Sequence, residues 1–187
     1  MIRIGILGDI GSGKTFVAQN FGYPVFNADQ EVAKLYQKNE KIFKKLNKEL
    51  PKYIYSFPVQ KKEISHAILA NKNNLSKIVR IVHLEIRRKM KVFLERYQNS
   101  KMVILDIPLL LENKINKKKD ILIYVQSKKS NIVKRLKKRK NFSQPLLDKF
   151  NDIQFSNVYK KQKSHFVIKN NFTKKSVKDG IKNILKE

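Results

Sequence analysis

The stretch Gly8-Asp9-Ile10-Gly11-Ser12-Gly13-Lys14-Thr15 restricts the fold more than any other part of the chain. It follows the apolar run Ile4 to Leu7 and precedes Phe16, Val17 and Ala18, so a strand, a glycine-rich loop and a helix succeed one another. The spacing G-x-x-x-x-G-K-[ST] is that of a loop wrapped around a phosphate chain. Its glycines bring backbone N–H groups close to the oxygens, and the helix N-terminus behind it adds a favourable dipole. Lys14 is placed to reach the β- and γ-phosphates, and the Thr15 hydroxyl to sit on a bridging Mg²⁺. A nucleoside triphosphate with Mg²⁺ is therefore expected, whereas the group that receives the phosphoryl is not named by the loop.

At 187 residues the chain has room for one core with an inserted subdomain, so a single α/β domain is expected. It has no cysteine, which excludes disulfides and thiolate metal centres. No apolar stretch approaches the roughly 18 residues of a membrane span, and no signal-peptide pattern opens the chain. We expect a soluble, cytoplasmic protein with no membrane partner. The net charge of +27 would ordinarily point to nucleic acid. Lysine greatly outnumbers arginine, however, and is spread along the whole chain beside abundant Asn and Ile. That is a compositional bias, and no dedicated nucleic-acid surface is expected.

Along the chain, Ile2 to Leu7 reads as a buried parallel strand despite Arg3, with a crossover helix from Gly13 to Phe21. After the break at Tyr23-Pro24, Val25 and Phe26 start a short strand that ends at Asn27-Ala28-Asp29, and a helix follows through Leu35 and Tyr36. Asp29 has two open readings: a helix N-cap, or the carboxylate that accepts or orients the proton of an attacking hydroxyl. From Asn39 to about Asn99 the sequence is mostly helical, interrupted at Pro51 to Pro58. Leu75, Ile78, Val79, Val82, Ile86, Phe93 and Tyr97 mark one apolar face, with His83 beside it as a packed residue or a ligand contact. Met102 to Leu105 is the next strand and closes on Asp106, either a turn carboxylate before Pro108 or a group that helps hold Mg²⁺.

Ile121 to Val125 repeats the strand signature, followed by a helix through Ile132, Val133 and Leu136. Arg135 and Arg139 lie four apart, on one face, ahead of Asn141-Phe142-Ser143-Gln144-Pro145. There they either close over a triphosphate or form a solvated basic face. Phe166 to Ile168, Asn170-Asn171 and a helix through Val177, Ile181, Ile184 and Leu185 complete the chain. Five strands alternating with helices predict a parallel sheet covered on both faces.

Four segments together resemble the dephospho-coenzyme A kinases over nearly the full chain. They are the Gly8–Thr15 loop, Val25-Phe26-Asn27-Ala28-Asp29, Asp106-Ile107-Pro108-Leu109-Leu110-Leu111-Glu112-Asn113 and Lys134-Arg135-Leu136-Lys137-Lys138-Arg139. The resemblance implies a P-loop kinase with a five-stranded parallel core over 1–38, 100–138 and 162–187, a helical acceptor subdomain over 39–99 and a lid over 139–161. It implies that ATP phosphorylates the ribose 3′-hydroxyl of dephospho-coenzyme A, the last step of coenzyme A synthesis. Asp29 then matches the residue that takes or orients the hydroxyl proton, Lys14 and Arg139 act on the phosphates, and Gly8, Gly11 to Phe16, Arg135 and Asn170 bind ATP. Asp29, His83, Asp106 and Pro108 serve the acceptor, and Thr15 and Asp106 the metal.

The chain departs from the family pattern at four places. Asn27 stands where Asp is usual, Leu84 replaces a proline after His83, Lys61-Lys62 replaces an arginine-rich pair, and Ser164-His165 replaces an Ala-Asp step.

Two rivals bear stating. A nucleoside monophosphate kinase would need Arg80, Arg87 and Arg88 to hold the acceptor's phosphate. A nucleic-acid-binding NTPase would use the +27 charge and the aromatic turn from Tyr53 to Phe57. The expected partners are small molecules only, and the expected state is a monomer or weak homo-oligomer.

Overall fold

The computed structural model describes residues 1–139 and 142–186. Lys140 and Asn141, inside the expected lid, and Glu187 lie outside the described residues. Five strands form: β1 (Ile2–Gly8), β2 (Val25–Asn27), β3 (Met102–Asp106), β4 (Ile121–Gln126) and β5 (Phe166–Lys169). They pair in the order β2-β3-β1-β4-β5, all parallel, with Ile4 opposite both Ile104 and Ile121. This is the five-stranded parallel sheet expected from the sequence.

The chain divides into two compact units. The first comprises Met1–Asn27, Arg96–Phe142 and Ile153–Glu187 and contains the whole sheet. Its helices are α1 (Lys14–Gln19), α6 (Lys129–Lys137), α8 (Asn157–Gln162) and α9 (Lys174–Ile184). Ile4 and Ile6 of β1 point to one face and join Ile104, Ile123, Val125 and Ile168, with Val17 and Ala18 of α1 and Val177 and Ile181 of α9 above them. Burying each such Ile or Val side chain contributes roughly 1.5–3 kcal/mol. On the opposite face, a Cβ at Gly5 would stand 2.5 Å from Leu110 and 2.9 Å from Leu122, so the missing side chain lets the turn after β3 lie against the sheet. Arg3, the charged residue in an otherwise apolar strand, is buried because Asp120 lies 2.9 Å from its guanidinium. A charge in that position is tolerated when paired.

The second unit is helical and comprises Ala28–Glu95 and Ser143–Asp152. It holds α2 (Ala28–Lys38), α3 (Glu40–Glu49), α4 (Lys61–Ala70), most of α5 (Lys72–Arg96) and α7 (Gln144–Asp152). Local sequence sets several helix starts. Asn39 caps α3 by accepting from the Ile42 N–H, and Gln60 and Glu63 form a capping box at α4. Leu75, Ile78, Val82 and Ile86 of the apolar face on α5 are buried, as expected from their spacing.

Three boundaries differ from the expectation. The helix after the loop stops at Gln19, and Phe21 is drawn into the core instead. α6 ends at Lys137, so Arg139 lies beyond it and does not share a helix face with Arg135. Within the stretch expected as lid, α7 groups with the helical unit and α8 with the sheet unit.

Candidate active site

The phosphate-type loop spans the gap between β1 and α1. Gly13 takes a left-handed conformation (φ 94°) that other residues adopt only under strain, and a Cβ there would collide with the Asn170 side-chain amide. The Lys14 ammonium donates to the Gly8 and Asp9 carbonyls at 3.1 and 2.9 Å, which folds its side chain back over the loop.

Asp106 ends β3 beside the loop because β3 neighbours β1. Its Oδ2 accepts from the Thr15 hydroxyl at 2.6 Å and from the Asn27 side-chain amide at 2.5 Å. The register that sets Asn27 of β2 opposite Asp106 makes the second bond possible. Burial pushes the Asp106 carboxyl above its ordinary pKa, opposed by the Thr15 hydroxyl, the Lys14 charge and the Asn27 amide. Thr15 and Asp106 thus present two oxygens side by side, a donor set suited to a hard cation such as Mg²⁺. Among the described residues no group of three His, Cys, Asp or Glu side chains forms a metal cluster, so a cation here would complete its shell with phosphate and water oxygens.

Around the loop, the Arg135 guanidinium lies 4.2 Å from the centroid of the Phe172 ring, with Nη1 3.6 Å from the point a Gly13 Cβ would occupy. Arg139 is exposed just past α6. The Ser12 hydroxyl is buried with no hydrogen-bond partner among the described residues. The Phe16 ring packs against the core, so only its backbone is left for a phosphate. Asn170 is 2% exposed, and its side chain bonds the Ser12 carbonyl and the Phe172 N–H. Pro108 is half-buried in the turn after β3.

In the helical unit, Asp29 is exposed and is the second residue of α2, inside the first turn, not at the cap position. His83 on α5 is half-buried; burial lowers its pKa and the Arg87 charge lowers it further. Arg80 lies 3.6 Å from Glu49 and Arg88 lies 3.4 Å from Glu85, so two of the three arginines a monophosphate acceptor would need already face carboxylates. In the aromatic turn, Ile54 is fully buried and Phe57 packs against Phe43 at 5.7 Å, while Tyr55 is 66% exposed. Packing, more than base stacking, accounts for that stretch.

Ser127, Phe172, Asn157 and Lys160 were not anticipated. Asn157 donates to the Asp9 carboxylate at 2.7 Å, and Lys160, 2% exposed, lies 3.4 Å from Glu112. The only sequence signal was positional: Ser127 follows β4 as Asn170 follows β5.

Comparison with known proteins adds the family. The family described as CoaE, dephospho-CoA kinase, matches residues 2–176. A dephospho-CoA kinase from Wolbachia pipientis wMel is 31% identical over 187 residues, covering 97% of this chain and 95% of its own. One from Bartonella henselae is 32% identical over 170 residues, covering 88% and 87%. The crystal structure of TT1252 from Thermus thermophilus shares the fold at a TM-score of 0.79 and 24% identity, covering 99% of this chain and 96% of that one. With a P-loop on a five-stranded parallel sheet and a family match over nearly its whole length, the chain belongs to the dephospho-CoA kinases.

Proposed function

We infer that this kinase transfers the γ-phosphoryl of ATP to the ribose 3′-hydroxyl of dephospho-coenzyme A, giving coenzyme A. The observation that carries the reading is the cluster at the end of β3, where Asp106, Thr15 and Asn27 meet directly beside the P-loop. Thr15 and Asp106 would hold Mg²⁺, which supplies charge neutralisation on the phosphates. Lys14 leaves the Gly8 and Asp9 carbonyls to take up phosphate oxygens, which are stronger acceptors for an ammonium. The loop N–H groups from Gly11 to Phe16 hold the phosphate chain, and Arg135, already beside Gly13, binds at the same end. Arg139 stabilises charge that develops on the transferring group. Asp29 accepts or orients the hydroxyl proton, a role that its exposure in the first turn of α2 supports. His83 and Pro108 bind the acceptor.

No helix among the described residues is long and apolar enough to cross a membrane. We place the reaction in the cytoplasm, carried out by a monomer or weak homo-oligomer; a chain without cysteine is compatible with that reducing compartment. The test is phosphoryl transfer from ATP with Mg²⁺ to dephospho-coenzyme A, beside adenosine monophosphate and single-stranded RNA. Transfer to dephospho-coenzyme A alone is expected. Transfer to adenosine monophosphate, or ATP hydrolysis raised by RNA, would transfer the assignment to one of the rivals.

A further inference from the structure

Two side chains from different strand ends converge on a single backbone atom of the loop. The Ser12 carbonyl accepts from Ser127 Oγ at 2.9 Å and from Asn170 Nδ2 at 2.8 Å. Ser127 follows the last residue of β4 and Asn170 the last residue of β5. Sheet register delivers both, because Gln126 pairs with Lys169 and the Asn170 N–H continues the ladder by donating to the Gln126 carbonyl at 2.8 Å. Asn170 is itself fixed: its Oδ1 accepts from the Phe172 N–H at 2.8 Å, which leaves Nδ2 turned toward the loop.

The geometry has a specific effect on the peptide that follows. In a trans peptide the C=O and the next N–H point in opposite directions. Pinning the Ser12 carbonyl therefore turns the Gly13 N–H away from Ser127 and Asn170, and among the described residues that N–H makes no hydrogen bond. Glycine at position 13 is what permits so close an approach of the Asn170 amide. Were the Ser12–Gly13 peptide to rotate, a carbonyl oxygen would replace a donor where an anion is to bind, and repel it.

We propose that Ser127 and Asn170 are positioning residues: by jointly holding the Ser12 carbonyl they keep the Ser12–Gly13 peptide oriented so that the Gly13 N–H is presented to the phosphates of ATP. The proposal rests on the reading of Gly8–Thr15 as an ATP loop. Asn170 accordingly acts on the nucleotide through the loop.

Direct binding of a non-hydrolysable ATP analogue with Mg²⁺, measured by calorimetry, tests this apart from the acceptor. Asn170→Ala removes the donor to Ser12 without adding a charge beside the phosphates, and Ser127→Ala removes the other arm. Each should weaken analogue binding about three- to tenfold, the effect of one hydrogen bond. The double variant should lose more than the product of the two, because either donor alone still restrains the peptide. Ser127→Thr, which keeps the hydroxyl, should recover most of the affinity lost in Ser127→Ala. In transfer assays the KM for ATP should rise while that for dephospho-coenzyme A stays put. Wild-type analogue affinity in the double variant overturns the proposal, as does equal loss in Ser127→Thr and Ser127→Ala. If the unaltered protein binds the analogue yet phosphorylates no dephospho-coenzyme A, the acceptor assignment fails, and the binding series still decides the clamp.

Discussion

Position 27 carries an amide where the family resemblance implies a carboxylate, and the structure gives the exchange a physical consequence. The Asn27 amide donates to the oxygen of Asp106 that the Thr15 hydroxyl also serves. A carboxylate there would face Asp106 with no proton to give. Asn27→Asp is expected to destabilise the metal-free protein by about 1–3 kcal/mol, the cost of an unsatisfied buried group, read from chemical denaturation. Lys14→Ala and Asp29→Asn should each lower turnover by orders of magnitude while thermal unfolding stays close to wild type; near-normal turnover in either removes that residue from the mechanism. His83 provides a pH dependence. Its folded pKa lies below the ordinary 6.5, so the unfolded chain binds the proton more tightly. Stability is therefore full above about pH 6.5 and falls as the pH drops through the folded value. Melting temperatures followed from about pH 8 to about pH 5 should drop less steeply for His83→Gln than for the wild type.

Among the elements, the strands were readable because parallel strands buried on both faces appear as continuous apolar runs, and the loop because its glycine spacing has few other uses. Even Arg3 did not hide β1, and Asp120 explains why. α7 and α8 were not readable: both are short, α8 is mostly polar, and α7 offers only Leu146, Leu147 and Phe150 at helical spacing, none of them fully buried. What anchors α8 is polar and distant in sequence. Glu112 accepts from the Phe155 N–H at 2.9 Å and pairs with Lys160, whose ammonium also donates to Gln154 at 2.5 Å. Asn157 adds the bond to Asp9. No spacing rule announces such contacts, and the same holds for Ser127 on Ser12. Lys160→Met alone leaves the Glu112 charge without its partner in a largely buried place and should cost about 3 kcal/mol or more. The double variant Glu112→Gln/Lys160→Met should be the more stable of the two by urea unfolding; the reverse order would show that the Glu112 carboxylate costs little without Lys160 and stabilises α8 through its bond from the Phe155 N–H.

On the scale of the whole molecule, one unit is built from three segments and the other from two, where the family resemblance implies a core over 1–38, 100–138 and 162–187, an acceptor subdomain over 39–99 and a lid over 139–161. The +27 charge also belongs here. It predicts RNA binding that weakens steeply with salt, as for any protein this basic, and no change in ATP hydrolysis when RNA is bound; stimulation would contradict the small-molecule assignment. The strand order carries one more consequence, for the time course of synthesis. β1 is the central strand, yet its neighbours β3 and β4 begin only at Met102 and Ile121. The stretch from α2 to α5 intervenes and makes local contacts that form early on a growing chain. The strand translated first must wait for partners that emerge much later, and its apolar residues stay uncovered meanwhile. The Gly8–Thr15 loop waits longer than the pairing of β1 with β3 and β4, since the carbonyl of Ser12 acquires its second hydrogen bond only when Asn170 has left the ribosome.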